Sequence, residues 1–198
     1  MEITETLHVL TRGEWRSWLE KNYDKAKDIW LVYANKKSGK PRIPYDEAVE
    51  EALCFGWIDS TLKKLDVDHA AQRFSPRRAK SHLSELNKVR VRKMIELGKM
   101  TEAGLKSINH HLVVDKGTVR EHKPFKMPKD IMDVLKKDAI VWQNFNAFPD
   151  DYRQVRIAYI DHARIRGDEF TKRLNYFVKM TRENKMLGSK IRCADVLM

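Results

Sequence analysis

Cysteine is scarce in this chain: Cys54 and Cys193 are the only two in 198 residues, far apart and outside any CxxC or Cys/His spacing. That argues against a disulfide-stapled scaffold and against a structural zinc site. The adjacent His110 and His111 do not repair the lack, because neighbouring residues on a helix or strand project in different directions and chelate poorly. Neither a metal nor a cofactor is expected. Long apolar runs are missing as well, since nothing approaches the roughly 18 consecutive apolar residues of a membrane span. Glu2 and Glu5 stand where a signal peptide would be basic. The expectation is a cytoplasmic protein with no membrane span. Internal repeats and low-complexity tracts are also lacking, and nothing in the pattern speaks to the oligomeric state.

What is present is the composition of a globular protein, 42% hydrophobic and 34% charged, with a formal net charge of +11. The charge is uneven. Residues 1 to 60 hold 9 Lys/Arg against 11 Asp/Glu, residues 61 to 126 hold 16 against 7, and residues 127 to 198 hold 14 against 10. The central block would attract phosphates, acidic surfaces or acidic proteins, or serve only as a solvated basic face.

Hydrophobic periodicity predicts a helix over 12 to 22 capped by Thr11, then a strand over 29 to 35 ending in an exposed turn. A second helix runs from Tyr45 to Phe55 with acids in its first turn and Gly56 past its end. Residues 57 to 65 and 70 to 74 flank Asp66-Val67-Asp68 and predict an antiparallel hairpin. Ser81 is the expected cap of a helix reaching Leu97, and Thr101 that of a shorter one ending near Leu112. Residues 113 to 127 are aperiodic and read as a linker. Three helices over 129 to 146, 151 to 165 and 169 to 185 suit a small bundle. The expected fold is α+β and predominantly helical: a unit over 1 to 112 around a small antiparallel sheet, then a C-terminal three-helix domain over 128 to 187. A tail over 188 to 198 has no clear periodicity.

Cys54 is a poor nucleophile on this reading. The helical wheel sets it among Glu47, Glu50 and Glu51 near the negative end of its helix, and both neighbours raise a thiol pKa. Asp59 and Ser60 follow Gly56-Trp57 where the chain leaves a helix for a strand, a place from which side chains enter a cleft. Asp59 either fixes that turn or acts as a general base. Asn87 and Arg90 fall inside the apolar face formed by Leu83, Leu86, Met94 and Leu97, so they need partners, with Asp59 the leading candidate for Arg90. Lys88 and Arg92 continue a positive stripe along the outer face. Arg73, Arg77, Arg78 and Lys80 surround Ser75-Pro76 ahead of Ser81, a cluster suited to a phosphate or carboxylate.

Several segments together carry a family resemblance. They are Trp15 with Trp18-Leu19, Trp30-Leu31, Tyr45 to Ala48 leading into Ala52 to Ser60, Phe74-Ser75-Pro76-Arg77, then Ser81, Ser84 and Asn87, and Gly98 to Gly104. The pattern resembles the YdeI/OmpD-associated family, also labelled bacteriocin-protection proteins, over roughly residues 6 to 105. Pro128 to Lys185 looks like that family's C-terminal helical domain. The resemblance implies a stress or antimicrobial-protection role and supplies no agreed catalytic residues. A basic protein is a poor trap for a basic peptide, so protection would be indirect and intracellular.

Three functions stay open on the sequence. The favoured one is binding of a small anionic ligand in a cleft formed by Trp57, Asp59, Ser60, Arg73, Arg77, Arg78, Ser81, Asn87 and Arg90. The second is an enzyme acting on a small anionic substrate with Asp59 as general base. The third is non-specific nucleic-acid binding by the central block, which lacks an RNP-like strand, a KH loop or finger spacing.

Overall fold

The computed structural model describes residues 2–35, 39–78, 81–115 and 118–188. Its described elements confirm an α+β, helix-rich protein. The chain divides into two compact units, one formed by Met1–Leu83 with Arg90–His122, the other by Ser84–Val89 with Lys123–Met198.

In the first unit, β1 (Thr6–Leu7) leads to α1 (Arg12–Asn22), whose start is fixed by a capping box between Thr11 and Glu14. Next come β2 (Ile29–Ala34) and α2 (Tyr45–Cys54). Gly56, at φ 76°, turns the chain out of α2 into β3 (Trp57–Lys64), which folds back on β4 (His69–Pro76). The sheet order is β1-β2-β4-β3. It is a mixed sheet, because β1 pairs parallel to β2. The antiparallel sheet expected from sequence omitted β1, which is too short to show a period.

Alternation along β2 sends Ile29, Leu31 and Tyr33 into the core beneath α1 and α2, while Trp30 and Val32 face the other way. Phe74 of β4, opposite Ile29, packs against Trp15 at 5.4 Å between ring centroids. α3 (Glu85–Glu96) and α4 (Glu102–Ile108) follow. α3 begins three residues later than expected, because Ser84 rather than Ser81 caps it: Ser84 Oγ accepts the Asn87 N–H and its carbonyl accepts the Lys88 N–H. Its faces also differ from the expectation. Leu97 is 55% exposed, whereas Lys88 is buried and bonded to Glu85 at 2.7 Å. The expected linker over 113 to 127 holds a hairpin instead, β5 (Leu112–Asp115) and β6 (Thr118–Glu121).

The second unit contains α5 (Lys129–Lys136), α6 (Ala139–Ala147), α7 (Asp150–Asp161), a short 3-10 turn over His162–Ile165, and α8 (Glu169–Arg182). Among the described residues after Pro128, four α-helices replace the three expected. Asp138 breaks the first predicted helix in two: it sits extended and its carboxylate takes the Ile140 and Val141 N–H groups. Ile131, Leu135, Phe145, Tyr152, Ile157 and Phe177 form this unit's core. Past Gly188, the expected tail and Cys193 lie outside the described residues. No helix among the described residues is long and apolar enough to cross a membrane.

Candidate functional site

The register of the sheet decides which of the proposed site residues meet. Asp59 pairs across the ladder with Phe74, so it shares the core face, while Arg73 pairs with Trp30 and points to the opposite face. The sheet therefore separates them. On its own side, Asp59 accepts a hydrogen bond from the Tyr45 hydroxyl at 2.5 Å. Burial, and then that bond, push the Tyr45 pKa up, so the phenol stays protonated and acts as a donor. Burial also raises the pKa of Tyr33, with the Asp59 charge the next influence.

On the other face, Arg73 binds Asp28 through Nη2 at 2.7 Å and reaches the hydroxyls of Ser60 and Ser75 at 3.5 and 3.4 Å. Asp28 also accepts from the Thr4 hydroxyl, and that bond, followed by Arg73, lowers its pKa despite an opposing contribution from burial. Arg90 was expected to meet Asp59, but Asp46 in the first turn of α2 holds it at 2.6 Å. Trp57 is a core residue: it is buried, and its indole N–H donates to the Tyr23 carbonyl at 3.0 Å. Asn87 lies in the first turn of α3.

Arg77 differs from the other arginines. Its backbone N–H is anchored on the Gly56 carbonyl, and its Nη2 donates to the carbonyls of Ser81 and His82 at 3.1 and 3.3 Å. Among the described residues no carboxylate pairs with it, and burial alone lowers its pKa. Its Nε and the Ser81 hydroxyl are both buried without a hydrogen-bond partner. The ring of His111 caps the same turn through Nε2 on the Ser81 carbonyl at 2.8 Å. Arg78, next in the chain, is exposed.

The helical wheel of α2 gave no sign of a second constellation. The wheel sets Cys54 with Glu50 and Glu51 opposite Tyr45, Val49 and Ala52, yet all three are buried. Glu51 accepts from Arg12 Nε and, at 2.7 Å, from Arg16 Nη1; Glu50 accepts from Arg12 Nη1 at 2.8 Å and from Lys93 at 3.0 Å. Burial works against the charge on Arg12 and Arg16, but the bonds and charge of Glu51 prevail, and both arginine pKa values rise. Burial first, and the Glu51 charge second, push the Cys54 thiol up to about 12. With every carboxylate paired, this is a clamp joining α1, α2 and α3. The arginines responsible lie 35 to 39 positions away in sequence, and that separation hid the clamp. Among the described residues no cluster of three or more His, Cys, Asp or Glu is placed to hold a metal ion.

Residues 7–107 match the family model described as Domain of unknown function (DUF8412), and residues 124–184 match the one described as Bacteriocin-protection, YdeI or OmpD-Associated. The chain belongs to the DUF8412 family and carries a YdeI/OmpD-associated domain. The family suspected from sequence is thus found, but on the C-terminal segment. The motifs from Trp15 to Gly104 fall instead under the domain of unknown function. No curated protein and no solved structure matches the chain significantly.

Proposed function

We propose that this protein binds a small anionic ligand at the turn from Arg77 to Ser81 and acts inside the cell in stress or antimicrobial protection. The observation that carries the reading is a guanidinium that pairs with no carboxylate among the described residues, and whose Nε, like the Ser81 hydroxyl, is buried without a hydrogen-bond partner among them. Buried polar atoms are almost always bonded, so an unmatched donor and hydroxyl in one turn favour an external acceptor. A phosphate or carboxylate oxygen would take the Arg77 Nε–H and the Ser81 O–H together, with the exposed Arg78 adding charge. Asp59, on the Tyr45 side of the sheet, plays no part in that contact. The protective role follows from the bacteriocin-protection family that the C-terminal segment matches. Because the chain is strongly basic, it repels rather than traps cationic peptides, so protection would be indirect.

The test is to denature the purified protein and identify the released small molecules by mass spectrometry. The wild type is expected to release an anion that folded Arg77→Met lacks and Ser81→Ala holds less well. Ser81→Ala removes only an unpaired hydroxyl, so it should fold normally. If the wild type releases no anion, or the folded variants release as much of it, the site is wrong. A deletion strain no more sensitive to bacteriocin than its parent would remove the protective role.

A further inference from the structure

A second site lies where β2 ends at Ala34. There a cleft of about 250 Å³ opens between the chain ahead of α1 and the loop after Gly39. Among the described residues its titratable lining is His8, Lys40, Arg42 and His69, with no carboxylate, and Val32 and Pro41 add apolar surface. The register builds this wall: Ala34 pairs with His69 and Val32 with Ala71, so these residues share the sheet face away from Tyr33. Arg77 and Ser81 are not part of it.

Two of the basic groups are held in place. Arg42 donates from Nη1 to the Ala34 carbonyl at 3.2 Å, and its guanidinium lies over the Tyr33 ring at 5.9 Å. That anchoring leaves Nε and Nη2 for an acceptor, and among the described residues no carboxylate forms an ion pair with it. His69 Nδ1 faces both carboxylate oxygens of Asp66 at 3.0 and 3.1 Å, while its backbone N–H donates to the same group at 2.8 Å. With Nδ1–H donated to Asp66, Nε2 serves a carboxylate only as the second N–H of an imidazolium, the form that the Asp66 carboxylate and an incoming anion both favour. Asp66 itself does not line the cleft.

We propose that this cleft binds a small organic carboxylate with a compact apolar body. Arg42 supplies the planar fork for the carboxylate. Lys40 and the two histidines add positive or donor character, and Val32 and Pro41 contact the body. An inorganic anion would leave that apolar surface uncovered, and a neutral ligand would leave the charge of Arg42 without a counterpart in the cleft.

Calorimetric titration of the full chain at low ionic strength tests this, with benzoate as probe and benzyl alcohol as its uncharged analogue. Benzoate is expected to bind about tenfold or more tightly than benzyl alcohol, in line with a charged hydrogen bond. Arg42→Ala should remove that advantage, Arg42→Lys should restore part of it, and His69→Gln should weaken benzoate several-fold. Benzoate binding no better than benzyl alcohol overturns the proposal, as does unchanged benzoate binding in a folded Arg42→Ala protein. If Arg42→Ala does not fold, unchanged binding by His69→Gln has the same force. Phenyl phosphate binding far more tightly than benzoate would overturn the carboxylate assignment. Repeated in the Arg77→Met protein, the titrations should show the same dependence of benzoate binding on Arg42, so the two anion sites stand or fall separately.

Discussion

Gly104 offers a prediction in which local propensity and tertiary packing demand opposite signs. It sits inside α4, where replacement by alanine ordinarily stabilises by about 1 kcal/mol. Here a Cβ would lie 2.1 Å from the Cys54 carbonyl oxygen, 2.7 Å from the Cys54 carbonyl carbon and 2.9 Å from the Leu53 carbonyl oxygen. All three are backbone atoms at the end of α2, so no side chain can swing aside. Unstrained contact needs about 3.5 Å, so α4 would have to retreat by over about 1 Å. That retreat breaks the two bonds now joining the elements, from the Thr101 hydroxyl and N–H to the Cys54 carbonyl at 2.6 and 3.1 Å. Losing them costs about 2 kcal/mol together. Overpacking adds about 1–3 kcal/mol. After the propensity gain, Gly104→Ala should destabilise by about 2–4 kcal/mol. Urea denaturation followed by tryptophan fluorescence reads this unit well, because Trp15, Trp18, Trp30 and Trp57 all lie in it. A lower midpoint at unchanged slope is expected. A variant as stable as the wild type would refute the close docking of α4 on α2.

Two further outcomes follow from the clamp on α2. Glu51→Gln should cost about 2–3 kcal/mol in the same assay, below the ~3–5 of a fully buried pair because Arg12 and Arg16 are partly hydrated; no loss would mean that the arginines do not depend on that charge. In a Cys193→Ser background, Cys54 should resist a disulfide reagent at about pH 8 until urea exposes it. The sign is fixed by the raised thiol pKa of about 12 against 9.0: the stability that this shift contributes is full below pH 9.0 and is lost as pH climbs toward 12. Rapid labelling of the native protein would contradict the burial.

Much of the first unit was legible because its signals are local. Thr11 with Glu14, the acids of α2, Gly56 and the Asp66 turn each act within a few residues, and each element formed where its signal lay. What depended on partners far away was not legible. The wheel of α2 sends Glu50 and Glu51 to solvent unless α1 and α3 cover them with arginine and lysine, and they do. The hairpin β5–β6 had a readable cue, Lys116-Gly117 between two β-branched runs, but four-residue strands are too short to establish a period. In the candidate site, the turn from Arg77 to Ser81 was named from sequence as part of an anion site, whereas the grouping of Asp59 with Arg73 did not survive the register. A β-bulge between Asp59 and Leu62 lies outside what residue types reveal.

The charge excess of the central block turns out to be a poor guide to where an anion would bind. Three of its cations answer acids from the first sixty residues: Arg73 takes Asp28, Arg90 takes Asp46, and Lys93 takes Glu50. Arg92 is absorbed by Glu121 within the block itself. Those pairs hold helices and strands together, and a guanidinium engaged in such a pair can bind a ligand only by leaving its partner buried and unmatched. A flat nucleic-acid face built from these residues would carry that penalty at several points. The informative cations are therefore those anchored by carbonyls alone. Arg77 on Ser81 and His82, and Arg42 on Ala34, are positioned by neutral acceptors, and among the described residues no carboxylate forms an ion pair with either. An anion arriving at either one completes an interaction instead of competing with an existing one, which is why both proposed sites rest on these two arginines.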